Sequence, residues 1–325
     1  MRKASKAPKT TLRTQTNHGR WFVTGLVTSA VWMAAGCVIT LIRGDDMREF
    51  VSDWINYQGP FLILLGTWML LMIRSKSFGA RVSAITTDGS VKLGIVGHWL
   101  FRLLAVGLVA ALTFASGVRM GFEGRGMVRV FFWLTYLCIE IATGLVTLHA
   151  LEIFAIVRNL RHQEVSLSHY APARTPRLRS VVNYFSAYVF LMAVGQVLGL
   201  MGTFRGHWTG ARQNIEVFQW FWSLVYFPMS SVLLIYSHWV IHKLIQTEKH
   251  NTLSPYRKEL EAHLSRKETN TMNGQLERTS HLAELVDRIT ASPEYVVDFG
   301  IAARTLLPFA VNLLTLFVKT SAPPS

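Results

Sequence analysis

The chain reads as an all-α, polytopic membrane bundle of about six transmembrane helices with a small cytoplasmic helical hairpin, and three observations carry that reading. Half of the 325 residues are hydrophobic, 16% are charged and the mean hydropathy is +0.29, more apolar material than a soluble domain needs to fill its core. The apolar residues gather in runs long enough to cross a bilayer, which takes about 20 residues. The 33 Lys and Arg against 19 Asp and Glu, a formal charge of +14, fall in short clusters between those runs and not in one patch. That spacing suits loops held on the cytoplasmic side and gives no nucleic-acid surface.

The elements follow in order. A basic tail over 1–20 precedes six apolar runs at 21–42, 54–73, 99–118, 128–157, 181–204 and 215–245. The fourth and sixth exceed what a bilayer requires, so their inner ends should project or tilt. A seventh run, 299–318, contains Arg304, Pro308 and Asn312 and is compatible with a span, a re-entrant segment or an interfacial helix, followed by a short tail to 325. Alternate loops differ in positive charge: 1–20, 74–98 and 158–179 hold fifteen Lys or Arg, while 43–58, 119–129 and 205–214 hold seven. This places the N-terminus in the cytoplasm of a bacterial-type inner membrane. The first outer loop, RGDDMREFVSD, is acidic as well. AAGC ending at Cys37 resembles a lipoprotein signal, but the apolar run continues through VITLI and five further spans follow, against cleavage. Cys37 and Cys138 both lie in apolar runs and read as two buried thiols.

Residues 246–298 form the one sizeable polar segment, with seven Lys or Arg and nine acids. Ser254 and Pro255 carry the marks of an N-cap and first helical residue. After NTMNG, Leu282, Leu285, Val286 and Ile289 recur at helical spacing. Two such helices make a hairpin that packs on itself, or offers a surface to a protein partner or a second copy of the chain. The basic, proline-bearing stretch 162–180 suits anionic lipid headgroups. No repeat implies an inverted-repeat transporter.

The intramembrane polar residues sort by depth. Glu140 stands eleven residues beyond Arg129, about 16 Å down at about 1.5 Å per residue and so near the bilayer centre. A charge there costs at least ~2.5–3.5 kcal/mol, so Glu140 must face protein or water and be partnered or uncharged. Gln196 reaches comparable depth on the fifth run, between Gly195 and Gly199, a GxxxG spacing that admits a close neighbour helix. Ser230 and Ser231, just after Pro228, extend this layer. Hydrogen-bonding glue between helices is the plain reading of the layer, and a proton or solute path through Glu140 the alternative.

His149 and Glu152, at i and i+3, lie toward the inner boundary on the face opposite Glu140; His238 and His242, at i and i+4, sit at similar depth on the sixth run. They read first as interfacial anchors alongside Trp239 and Lys243. The alternative is a metal or redox site, in which the four, with His98, would hold iron or zinc, or a histidine pair a haem. No cofactor is required by any motif. Phosphate loops, dinucleotide fingerprints and nucleophile elbows are absent from the sequence. The expected role is therefore non-catalytic: a membrane-embedded scaffold, sensor or regulator within a larger assembly.

Overall fold

In the computed structural model the described residues are 18–55, 59, 62, 78–89, 91, 93–122, 125–205, 210–265, 272–296 and 310. Among them the chain is helical apart from turns, short loops and one isolated antiparallel bridge, Thr86 with Val165. Helix α1 spans His18–Arg43, α2 Met47–Asp53, α3 Trp99–Met120, α4 Gly126–Leu160, α5 Pro176–Arg205, α6 Arg212–Ser265 and α7 Met272–Thr290. Among the described residues four segments are long and apolar enough to cross a membrane: Leu26–Arg43, Trp99–Met120, Gly126–Leu160 and Pro176–Gln196. The expected spans at 54–73 and 299–318 lie almost wholly outside the described residues.

The packing order is α3 on α4, α4 on α6, α5 on α6, and α6 on α7. The core is built from Val146, Ile153, Val157, Val181, Phe185, Ile241 and Ile245 on α4, α5 and α6, with Phe78, Val82 and Ile85. The outer face of α3 is the reverse: Leu100, Leu103, Leu104, Leu108 and Leu112 are each more than half exposed. Leaving one leucine in water forfeits about 2 kcal/mol. The five, each a little more than half exposed, forfeit roughly 6 kcal/mol together, comparable to the whole stability of a domain, about 5–15 kcal/mol. Lipid is the medium in which such a face carries no penalty.

The loops meet at two ends, in the two groups that charge distinguished. At one end Asp45 accepts a hydrogen bond from the Met127 N–H at 3.0 Å, and the Gly210 N–H donates to the Met120 carbonyl. Asp45 thereby caps α4, whose own N-cap residue Arg125 supplies no side-chain bond. Asp46 caps α2 through Arg48 N at 2.8 Å and Glu49 N at 3.4 Å. The acidic character of this loop thus serves helix starts. Short α2 is held because Phe50 presses on Gly36, where a Cβ would lie 2.1 Å from its ring. At the other end Thr87 N donates to Glu164 O at 2.9 Å and Ser166 N to Ile85 O at 2.7 Å, joining the loops around 84–89 and 164–166.

Two boundaries differ from the sequence reading. α5 begins at Pro176, inside the expected loop, because proline at the first helical position lacks only an N–H that has no intrahelical partner there. α6 does not restart at Ser254: it continues through Pro228 and Pro255 for 54 residues. Proline in a helix interior costs about 3 kcal/mol, and here contacts of the same region with α7, including Arg278 to Glu259 at 2.7 Å, sustain the helix across it.

Candidate functional site

Two polar clusters lie on α4, and a third grips α6 over residues 242–249. In the first, Glu140 is 2% exposed, and the side chains that engage its carboxyl are Thr113 on α3 and Tyr136 one turn earlier on α4. Tyr136 OH also donates to the Thr113 carbonyl at 3.3 Å. Tyr136 fits between the helices because Gly117 faces it, where a Cβ would lie 2.3 Å from the phenol oxygen. Glu140 Oε2 is buried and has no hydrogen-bond partner. Gln196 and Ser230 are buried and Ser231 half-buried, each engaged by neighbours. Gly195 is buried on α5, with Gly199 one turn on. A close backbone approach occurs at Gly144, where a Cβ would lie 2.6 Å from the Val106 carbonyl oxygen. Thr113, Tyr136, Gly117 and Gly144 were not singled out by sequence. Their type is ordinary in a span, and only their pairing across α3 and α4 makes the site.

The second cluster is a continuous chain of polar contacts across three helices. Arg102 on α3 pairs with Glu152 Oε1. Glu152 Oε2 meets His149 Nδ1 at 2.9 Å, and His149 Nε2 meets Tyr184 OH on α5 at 2.9 Å. Both ring nitrogens of His149 therefore face a polar partner, a carboxylate on one side and a phenol hydroxyl on the other. Tyr188 packs edge-on to the imidazole at 5.0 Å and donates to the Val146 carbonyl. Phe78 stacks on Tyr184 at 4.7 Å, and the Arg81 guanidinium sits 5.7 Å over the same ring. His149, Glu152 and Tyr184 are all buried. The network, buried from Tyr184 to Glu152 and open only at Arg102, ties α3, α4 and α5 in register.

The candidate metal ligands do not converge. Both ring nitrogens of His149 are committed, His238 packs edge-on to Phe185 at 5.1 Å, and His242 turns to the chain after α7. Among the described residues no three His, Cys, Asp or Glu side chains come together as a ligand set. His98 is exposed at the start of α3.

The third cluster holds the end of α7 against α6. Lys249 is 7% exposed, and its Nζ donates to the Thr290 carbonyl at 2.6 Å, the Ser292 carbonyl at 3.0 Å and Glu294 Oε1 at 3.4 Å. A cation on the last carbonyls satisfies both their lone pairs and the helix dipole. One turn earlier Gln246 donates to Glu294 at 3.4 Å. His242 Nδ1 bonds the Glu294 carbonyl at 3.1 Å while its ring stacks on Tyr295 at 4.1 Å. The hydrogen bond from Gln246, and then Lys249, hold the Glu294 carboxyl below the usual carboxylate range. His242, Gln246 and Lys249 recur at i, i+4 and i+7, a signal the sequence carried without a partner to interpret it.

No family model matches the chain, and no significant match was found among curated proteins or solved structures.

Proposed function

We propose that this is a multi-pass inner-membrane protein of six spans, N-terminus in the cytoplasm, which serves as a non-catalytic membrane component of a larger assembly. Residues 246–298 form its cytoplasmic contact module, a hairpin of the α6 extension and α7. One observation carries the reading: α6 runs unbroken from the bundle through residue 265, and Lys249 clasps the end of α7 to it. The extension beyond 245 projects about 30 Å at about 1.5 Å per residue. Such a lever transmits displacement between membrane and cytoplasm without a flexible joint, as a scaffold, sensor or regulator requires. The grouping of loops at two ends supports the topology, and the enclosed networks on α4 support a structural use of its polar residues.

The test is purification from native membranes in mild detergent, with identification of co-purifying proteins. A stoichiometric partner is expected, lost together with the phenotype when 246–298 is deleted. A lone subunit whose phenotype survives the deletion refutes the proposal.

One observation favours a second reading, conduction near Glu140: its Oε2 has no partner. Proton or solute flux in proteoliposomes that changes its pH dependence in Glu140→Gln would support that reading, and flux unaltered by the substitution would exclude it.

A further inference from the structure

We infer that the inner ends of α4 and α6 together form a binding site for one anionic phospholipid of the cytoplasmic leaflet. The inference rests on α4 and α6 spanning the membrane in the proposed orientation, and not on the role of the cytoplasmic module.

The site is ordered by depth on two parallel helices. On α4, Leu151, Phe154, Arg158 and Arg161 fall at i, i+3, i+7 and i+10, which places them on one face. On α6, Val232, Ile235, Trp239 and Lys243 fall at i, i+3, i+7 and i+11, again one face. Two contacts bring these faces together: Phe154 lies 4.7 Å from Tyr236, and the Arg161 guanidinium lies 5.1 Å over the Trp239 ring. Each face passes from aliphatic to aromatic to cationic over about 15 Å. Val232 and Ile235 are more than half exposed, offering a wall for an acyl chain. Phe154, Tyr236 and Trp239 mark the glycerol level, where amphipathic rings settle. Arg158, Arg161 and Lys243 are all exposed, and they reach the phosphate level.

The charge at that level is unbalanced. Of the acids near that level, Glu152 faces inward to Arg102 and His149, Glu248 lies 3.4 Å from His169 and Glu294 is held by Gln246 and Lys249, which leaves exposed Glu164 as one carboxylate against three cations. Among the described residues Lys243 makes one polar contact, and it is neutral, to Gln246 Oε1 at 3.3 Å. Arg161 is positioned by its stacking on Trp239, which leaves the in-plane N–H donors of the guanidinium uncovered by the ring. A planar donor fork beside a point-charge ammonium suits a phosphodiester, and the apolar wall above it adds acyl-chain burial that a free phosphate lacks.

The test is native mass spectrometry of the whole protein in neutral detergent, titrated with phosphatidylglycerol or phosphatidylcholine. Each cation near an anionic surface contributes roughly fivefold to binding. The R158Q/R161Q/K243Q protein should therefore bind the first phosphatidylglycerol about a hundredfold more weakly, with phosphatidylcholine binding unchanged. W239L should weaken it without removing a charge. R174Q/R257Q/K258Q, which removes three exposed cations elsewhere, serves as control. Equal loss in that control reduces the effect to general attraction and overturns the site. Undiminished binding in the first triple variant overturns it as well. Alkaline extraction of membranes, which all variants should resist, separates failure of the site from failure of the membrane-spanning reading.

Discussion

Substituting Gly144 by alanine should destabilise the bundle, although alanine is the better helix former. A Cβ at this position would stand 2.6 Å from the Val106 carbonyl oxygen and 3.1 Å from its Cα; ordinary contact begins at 3.4 Å, so α3 must withdraw by about 0.8 Å. The obstacle is backbone and cannot rotate aside, so the cost should approach the upper part of the overpacking range, about 3 kcal/mol. Gly107 provides the control, because nothing lies within 4 Å of its Cβ position. There alanine should stabilise by about 0.5–1 kcal/mol through backbone entropy alone. Thermal unfolding in detergent, followed by circular dichroism, should show G144A melting several degrees lower and G107A unchanged or higher. Arg102 lies one turn from Val106, so G144A should also shrink the penalty of Glu152→Gln. If both alanine variants melt alike, or G107A melts lower than G144A, the close approach of α3 and α4 is refuted.

Three further outcomes follow from the clusters. Glu152→Ala should cost about 2–3 kcal/mol, because it strands the buried His149. Arg102→Ala should cost about 1 kcal/mol or less, since its side chain is 46% exposed; chemical denaturation ranks the two. Lys249→Met should raise amide exchange over 288–296 by about tenfold or more, through loss of the acceptor contacts at the end of α7, while leaving α3 and α4 unchanged. Acidification should loosen the same segment: Glu294 has a lowered carboxyl pKa in the folded state, so its contribution is complete above the ordinary value near 4.5 and is lost as pH falls through the lowered one. Protection factors over 290–296, corrected for the intrinsic pH dependence of exchange, should thus stay flat from pH 8 to about 5 and fall below, and Glu294→Gln should flatten the profile.

What could be read from sequence was whatever is local. Apolar runs around 99–118, 128–157 and 181–204 announced α3, α4 and α5, because a span is recognised by its own composition. The i, i+3 pairing of His149 with Glu152 was also local, and helical spacing sufficed to place both on one face. Their outer partners were not legible: Arg102 is 50 residues from Glu152 and Tyr184 is 35 from His149. Asp45 caps a helix 82 residues away, so its role looked like mere loop acidity. The Pro255 break failed for a related reason. Local propensity favours a new helix start there, and contacts with α7 outweigh it. Glu140 was flagged by its depth, yet Thr113 and Tyr136 could not be chosen among many hydroxyls without knowing which faces of α3 and α4 meet.

The most direct measurement of the proposed role is in-cell photo-crosslinking from the cytoplasmic module, with a photoreactive residue at the exposed positions Glu261, Glu284 and Arg288 and a lipid-facing control at Leu108. Discrete adducts of one protein partner, or of a second copy of this chain, are expected from the three module positions and not from the control. Uncrosslinked chain alone at all three positions would contradict a membrane component that works through its cytoplasmic module.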